Sequence, residues 1–121
     1  MIRFLAASII TILAVPAQSA PLTDGFEDRM MAIGFTSEQA TQIKQVGWLY
    51  YANKICGETT YSNKRLNSDI DFAEKHYEIP YAMLIEKAVA YEVDMETDLK
   101  KTSESFRLNL CRELREKLKE D

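Results

Sequence analysis

Residues 36–57 read TSEQATQIKQVGWLYYANKICG and carry the clearest helical signal in the chain. Thr36 as N-cap and Gln39 three positions later form a capping box, which satisfies two backbone donors at a helix start. A helix is therefore predicted over about 37–56. Its middle, residues 46–52, is apolar or aromatic on every side, which is typical of a helix surrounded by other helices. We predict that this is the central helix of the fold.

Apolar residues recur at helical spacing on both sides of the central helix, and no sustained strand-like alternation occurs. Before the central helix, a short helix is predicted with Thr23 or Asp24 as its N-cap and Gly34 as its stop. After it, a helix is predicted from Ser62 or Asn63 to about Tyr77. Pro80 is predicted to open the next helix, and Asp98 to cap the last one. Whether the last two are separate or form one bent helix is left open. The fold class is therefore all-α, a small bundle of four to five helices.

Two of the flanking helices have broad apolar faces that should point inward. In the helix after Pro80, the predicted core face comprises Tyr81, Leu84, Ile85, Ala88, Tyr91 and Met95, widened by Ala82, Val89 and Val93. In the last helix it comprises Phe106, Leu110, Leu114 and Leu118, with Leu108 and Cys111 on a neighbouring inward face. Both helices are thus expected to cover the central one.

The first 19 residues have the pattern of a secretory signal. A basic start at Arg3 precedes an apolar run that is too short for a membrane span, which needs roughly 20 residues, and small residues follow it. Cleavage after Ser19 places Ala17 and Ser19 at the two positions that must be small, and cleavage after Ala17 is the other candidate. Residues 1–19 are therefore predicted as a Sec-type signal peptide and 20–121 as a single helical domain, with the periplasm as its location.

The chain has two cysteines, Cys56 and Cys111, and export to an oxidising compartment favours their pairing as a disulfide. No Cys-x-x-Cys motif is present, so a redox or c-type haem site is not expected. Two cysteines and the single histidine are too few for a structural zinc site. The bond is predicted to be structural, and no cofactor or metal is predicted.

Catalytic chemistry has little support in the sequence. The single histidine, His76, falls on the predicted polar side of its helix, and no serine lies in a nucleophile-elbow motif. The carboxylates of Asp94–Asp98 do not fit a calcium loop, because Leu99 and Ser105 stand where glycine and glutamate are needed. We therefore expect that the protein is not an enzyme.

Charge is distributed unevenly in this acidic chain of net charge −4. Residues 66–98 are strongly acidic and 99–121 are basic, whereas nucleic-acid binding would favour an overall basic surface. The charges either form a surface for a protein partner or pair internally, with the last helix lying against the two before it. The residues assigned to a possible partner or ligand surface are Trp48, Tyr50, Tyr51, Tyr91, Arg112 and Arg115.

These features favour an exported, non-catalytic protein-interaction module, such as an adaptor, an inhibitor or a client-binding protein. The expected partner is another envelope protein. One alternative is an acid-stress chaperone, in which neutralised carboxylates loosen the packing and expose the core. Another is a carrier of a small apolar ligand, bound among the aromatic residues. The oligomeric state is left open.

Overall fold

The structure, a computed structural model, describes residues 25–120. Its helices are α1 (Phe26–Ala32), α2 (Ser37–Lys54), α3 (Thr60–Tyr77), α4 (Tyr81–Leu99) and α5 (Glu104–Glu120). The described range contains no strand, which confirms the prediction of a small all-α bundle. None of these five helices is both long enough and apolar enough to cross a membrane. The predicted signal peptide and the N-cap at Thr23 or Asp24 lie outside the described residues.

The start of α2 is built as the capping box predicts. The Gln39 backbone N–H donates to Thr36 Oγ1 at 3.1 Å, and the Thr36 N–H donates to Gln39 Oε1 at 2.8 Å. At the other end, α2 stops at Lys54, two residues earlier than expected. The Ile55 and Cys56 N–H groups both donate to Tyr51 O there, so the last turn is irregular before the left-handed Gly57.

The central position of α2 is confirmed, because α2 packs against each of the other four helices. Its buried residues lie on all sides of the helix: Ala40, Gln42, Ile43, Gln45, Val46, Gly47, Trp48, Leu49, Tyr51 and Ala52. Burial on every side explains why this segment shows no distinct polar face. α2 and α4 approach each other closely at Gly47, where a Cβ would stand 2.7 Å from Tyr91 Cδ2.

The third helix begins at Thr60, earlier than the predicted start at Ser62 or Asn63. The cause is Glu58, whose carboxylate accepts the backbone N–H of Tyr61 at 3.0 Å and of Ser62 at 2.7 Å. An acceptor before the first turn satisfies donors that would otherwise be unpaired. Glu58 therefore caps the first turn, and the helix starts before the predicted residues.

The core face of α4 is narrower than predicted. Leu84, Ala88, Tyr91 and Met95 are buried as expected, but several residues assigned to the core are exposed: Tyr81, Ala82, Val89 and Val93. The assignment was wrong because Ala82, Val89 and Val93 lie on the side of the helix opposite the buried set, given 100° of rotation per residue. The helix carries apolar residues on two faces, and the bundle covers one.

The fourth and fifth helices are separate, joined by residues 100–103. The N-cap of α5 is Ser103, whose Oγ accepts the Phe106 N–H at 3.0 Å. The predicted cap, Asp98, instead lies buried in the last turn of α4. Arg107 fixes the connection, because its Nη1 donates to Leu99 O at 3.0 Å and also to Thr102 O.

A disulfide links Cys56, two residues beyond the end of α2, to Cys111 in the middle of α5, as predicted. Beside it, α5 buries Leu110, Leu114 and Leu118. Leu108 was expected on an inward face but is 63% exposed, because it lies roughly 120° around the helix from the mean direction of these leucines. The disulfide and the leucines together determine which side of α5 faces outward.

Candidate functional site

The four aromatic residues assigned to a partner or ligand surface lie largely inside the bundle. Trp48 and Tyr51 are each 1% exposed and pack edge to face, with ring centroids 5.8 Å apart. Tyr91 is 2% exposed and lies against Phe26, with centroids 4.6 Å apart. Tyr50 is half-buried. These side chains fill the core between helices, so they present little surface to a protein partner.

The two arginines assigned to the same surface lie on a different part of the molecule. Arg112 and Arg115 are exposed on the outer side of α5, which we call the basic face and define as Leu108, Arg112, Arg115 and Lys119. These positions are separated by four, three and four residues, so their side chains form one stripe along the helix. The stripe has an exposed leucine at one end and cations along the rest.

The cations of the basic face have little internal compensation. Among the described residues, no carboxylate lies within 4 Å of the Arg112 or Arg115 guanidinium. Lys119 lies 3.7 Å from Glu116 Oε2, but both side chains are exposed. Exposed pairs of this kind contribute about 0–1 kcal/mol. The positive charge of this stripe is therefore directed to solvent.

The acidic segment, in contrast, is partly compensated by cations from earlier in the chain. Asp94 lies 3.8 Å from Arg29 of α1, Glu96 lies 2.8 Å from Lys54 of α2, and Asp69 lies 3.5 Å from Arg65 of α3 itself. The sequence left open whether the basic segment would pair with the acidic one. In the described residues, these ion pairs are made by α1, α2 and α3, and the outer side of α5 takes no part in them.

A second polar feature lies between α2 and α4. We call it the carboxylate junction and define it as Lys54, Glu92 and Glu96. Lys54 Nζ lies 2.8 Å from Glu96 Oε2 and 3.6 Å from Glu92 Oε1. The Glu92 side chain is 3% exposed, and its Oε2 makes no hydrogen bond with any described residue. A buried carboxyl with one poorly paired oxygen is costly when it is charged.

The pKa values of the two carboxyls move in opposite directions. Burial, followed by the hydrogen bond and the charge of Glu96, raises the pKa of Glu92 to about 7, against the opposing effect of Lys54. The hydrogen bond from Glu92 and then the one from Lys54 lower the pKa of Glu96. The pair thus holds one proton on Glu92 over a range in which Glu96 is ionised.

Sequence reasoning did not single out the carboxylate junction, although a signal for Glu92 was present. Ala88, Glu92, Met95 and Leu99 follow one another at intervals of four, three and four residues, and all four are buried. An acid within an apolar stripe at this spacing must enter the core. Its partner Lys54 comes from a different helix, and no local pattern pairs the two.

The remaining polar candidates take separate positions. His76 is exposed on α3 with its ring 4.3 Å from that of Phe72, measured between centroids. Asp94, Glu96 and Asp98 continue α4 as a helix, and only Asp98 of the three is fully buried. Among the described residues, no three or more His, Cys, Asp or Glu side chains are grouped so that they could hold a metal ion.

No family model, no curated protein and no solved structure matches this chain. Its function must therefore be argued from its own residues. Two features stand out: the outward basic face on α5 and the buried carboxylate junction between α2 and α4.

Proposed function

We propose that the protein is an exported, non-catalytic interaction module of the periplasm, and that its basic face binds an acidic surface of another envelope protein. The observation that carries the proposal is the stripe of Arg112, Arg115 and Lys119 beside the exposed Leu108, in a chain of net charge −4. A cationic stripe on an acidic protein favours one orientation of an acidic partner and disfavours others.

The composition of the basic face suits protein recognition. Arginine is enriched in interfaces and among the residues that dominate binding energy, because its guanidinium can hold a carboxylate with two hydrogen bonds. Leu108, with 63% of its surface exposed, supplies apolar area beside these charges. The partner expected from this chemistry has Asp and Glu side chains around a small apolar depression.

The attachment of α5 supports the same role. Its inner side is held by three buried leucines and by the disulfide to the end of α2. A helix fixed in this way loses little further conformational freedom when its outer side binds, which lowers the entropic cost of association. The basic face is thus preorganised for a partner.

The binding proposal is tested by photo-crosslinking in the native host. We replace Leu108 with a photoreactive amino acid in the full-length chain and map the crosslinked peptide by mass spectrometry. The expected product is a discrete adduct with one protein, through a segment rich in Asp and Glu. We expect Arg112→Glu/Arg115→Glu to reduce its yield by about tenfold or more, because two favourable charge contacts become repulsive.

The matched control is Lys64→Glu/Lys75→Glu, which makes the same change in net charge on exposed positions of α3. This variant should leave the adduct intact. Persistence of the adduct in the arginine variant, an adduct with lipid, or a crosslinked segment without acidic residues would each contradict the proposal.

Export is a separate part of the proposal and rests on the sequence of residues 1–19. We expect the protein recovered from the periplasmic fraction of its host to begin at Ala20, which intact-mass measurement would establish. A chain that retains Met1 and stays in the cytoplasmic fraction would contradict export.

A further inference from the structure

The carboxylate junction places two acids beside one base. Glu92 and Glu96 stand four residues apart on α4, and Lys54 from the end of α2 lies against both, closer to Glu96. With both acids ionised, the three groups carry one net negative charge, and the less well paired carboxylate is the buried one. With one proton on Glu92, the three groups are neutral. Of the three side chains only Glu92 is buried, since Lys54 is 59% and Glu96 20% exposed, so the advantage of a neutral group falls on Glu92.

We propose that Lys54, Glu92 and Glu96 form a pH-dependent contact between the end of α2 and the C-terminal half of α4, which holds one proton when tight and weakens when Glu92 loses it. The contact is independent of the basic face, so the proposal does not rest on the proposed function. The proposal concerns the strength of the contact between the C-terminal end of α2 and the C-terminal half of α4.

The charged and titratable groups around Glu92 and Glu96 come from α2, α4 and α5. From α2, Lys54 faces Glu92, and the neighbouring Tyr51 is influenced by both glutamates. From α4, Glu96 raises the pKa of Glu92, and Glu92 lowers that of Glu96. From α5, Arg107 acts on Tyr51. The α1 cation Arg29 pairs with Asp94 of α4 at 3.8 Å, and Lys100, which follows α4, acts on Glu96.

The direction of the pH effect follows from the sign of the shift. The pKa of Glu92 is raised to about 7 in the folded protein, above its ordinary value of 4.5. Its contribution to stability is therefore fully present below the ordinary value and is lost as the pH rises through about 7. Glu96 has a lowered pKa, so its contribution is lost only on stronger acidification. The contact should be tight in mildly acidic surroundings and weaker in alkaline ones.

This behaviour differs from that of an acid-activated chaperone. In such a protein, protonation of carboxylates loosens the packing. At the carboxylate junction, protonation of Glu92 as the pH falls through about 7 removes a buried charge and tightens the packing. Weakening instead accompanies a rise in pH through about 7, at the end of α2 that leads through Cys56 to α5.

The test compares the full mature protein with Glu92→Gln, in which an uncharged amide replaces the protonated carboxyl. Urea unfolding is measured from pH 5 to pH 9. We expect the folding equilibrium constant of the wild-type protein to fall by about tenfold between pH 6 and pH 8 relative to that of Glu92→Gln. Glu86→Gln, an exposed position on the same helix, should follow the wild-type protein.

Two measurements on folded protein locate the effect. The carboxyl carbon resonance of Glu92 should titrate near pH 7, and Lys54→Met should move that midpoint upward because the lysine favours the ionised form. Hydrogen exchange at residues 51–54, corrected for its intrinsic pH dependence, should accelerate as the pH rises from 5 to about 7 in the wild-type protein and not in Glu92→Gln. An ordinary glutamate midpoint, or equal pH dependence in Glu92→Gln and the wild-type protein, would overturn the proposal.

Discussion

Replacing Cys56 and Cys111 together by serine should lower the free energy of unfolding by about 4 kcal/mol, the largest effect that we expect from any change discussed. The disulfide closes a loop with a sequence separation of 55 residues. In the chain-entropy model, releasing such a loop gives the unfolded chain about this much additional conformational freedom. Small domains have net stabilities of about 5–15 kcal/mol, so the variant should be close to unfolding at physiological temperature.

The measurement is urea unfolding followed by circular dichroism. Both cysteines are only partly buried, so serine should be tolerated sterically at either position. The wild-type protein in reductant is the matched control, since it lacks the bond but keeps its sequence. Reduced wild-type protein and the double variant should have similar midpoints, well below that of the oxidised protein. Equal midpoints for oxidised and reduced wild-type protein would show that the bond does not stabilise the fold.

Replacing Gly47 by valine should destabilise the protein by about 3 kcal/mol, because α2 and α4 meet here with no room for a side chain. A Cβ at this position would lie 2.7 Å from Tyr91 Cδ2 and 3.1 Å from the backbone oxygen of Ala88. The Tyr91 ring is held against Phe26 and cannot turn away freely. Overpacking of a close-packed core typically costs 1–3 kcal/mol, and valine adds three carbon atoms.

The comparison is with Ala90→Val, which introduces the same β-branched side chain on the exposed side of α4. That variant should lose no more than about 0.7 kcal/mol, the usual range of helix propensity among such residues. Gly47→Ala should fall between the two, although alanine is normally the better helix former. Similar unfolding midpoints for Gly47→Val and Ala90→Val would contradict the close approach of α2 and α4.

Several features of the fold could be predicted from short segments of sequence. The capping box at Thr36 and Gln39 forms as expected, because both partners lie within one turn. Gly34 follows α1 with a φ of 111°, and the sequence predicted a left-handed glycine at this position as the stop of the first helix. The fully apolar middle of α2 indicated a central helix, since burial on all sides leaves no polar face.

Other assignments failed where two faces of a helix had similar composition. Val89 and Val93 were assigned to the core of α4, and Leu108 to the inner side of α5, yet all three are exposed. Hydrophobicity identifies which residues could be buried but not which face the neighbouring helices cover. The opposite error concerns Glu92, an ionisable residue that was not assigned to the core and is nevertheless buried there.

The candidate sites divide in the same way. Local sequence was enough to predict the helical character and the start of α2, since each depends on few residues. The pairing of the cysteines followed from their number, because the chain has only two. The exposure of the basic face and the meeting of Lys54 with Glu92 and Glu96 required the packed bundle. Those features depend on the relative rotation and position of whole helices, which are set by the sum of many contacts made between distant parts of the chain.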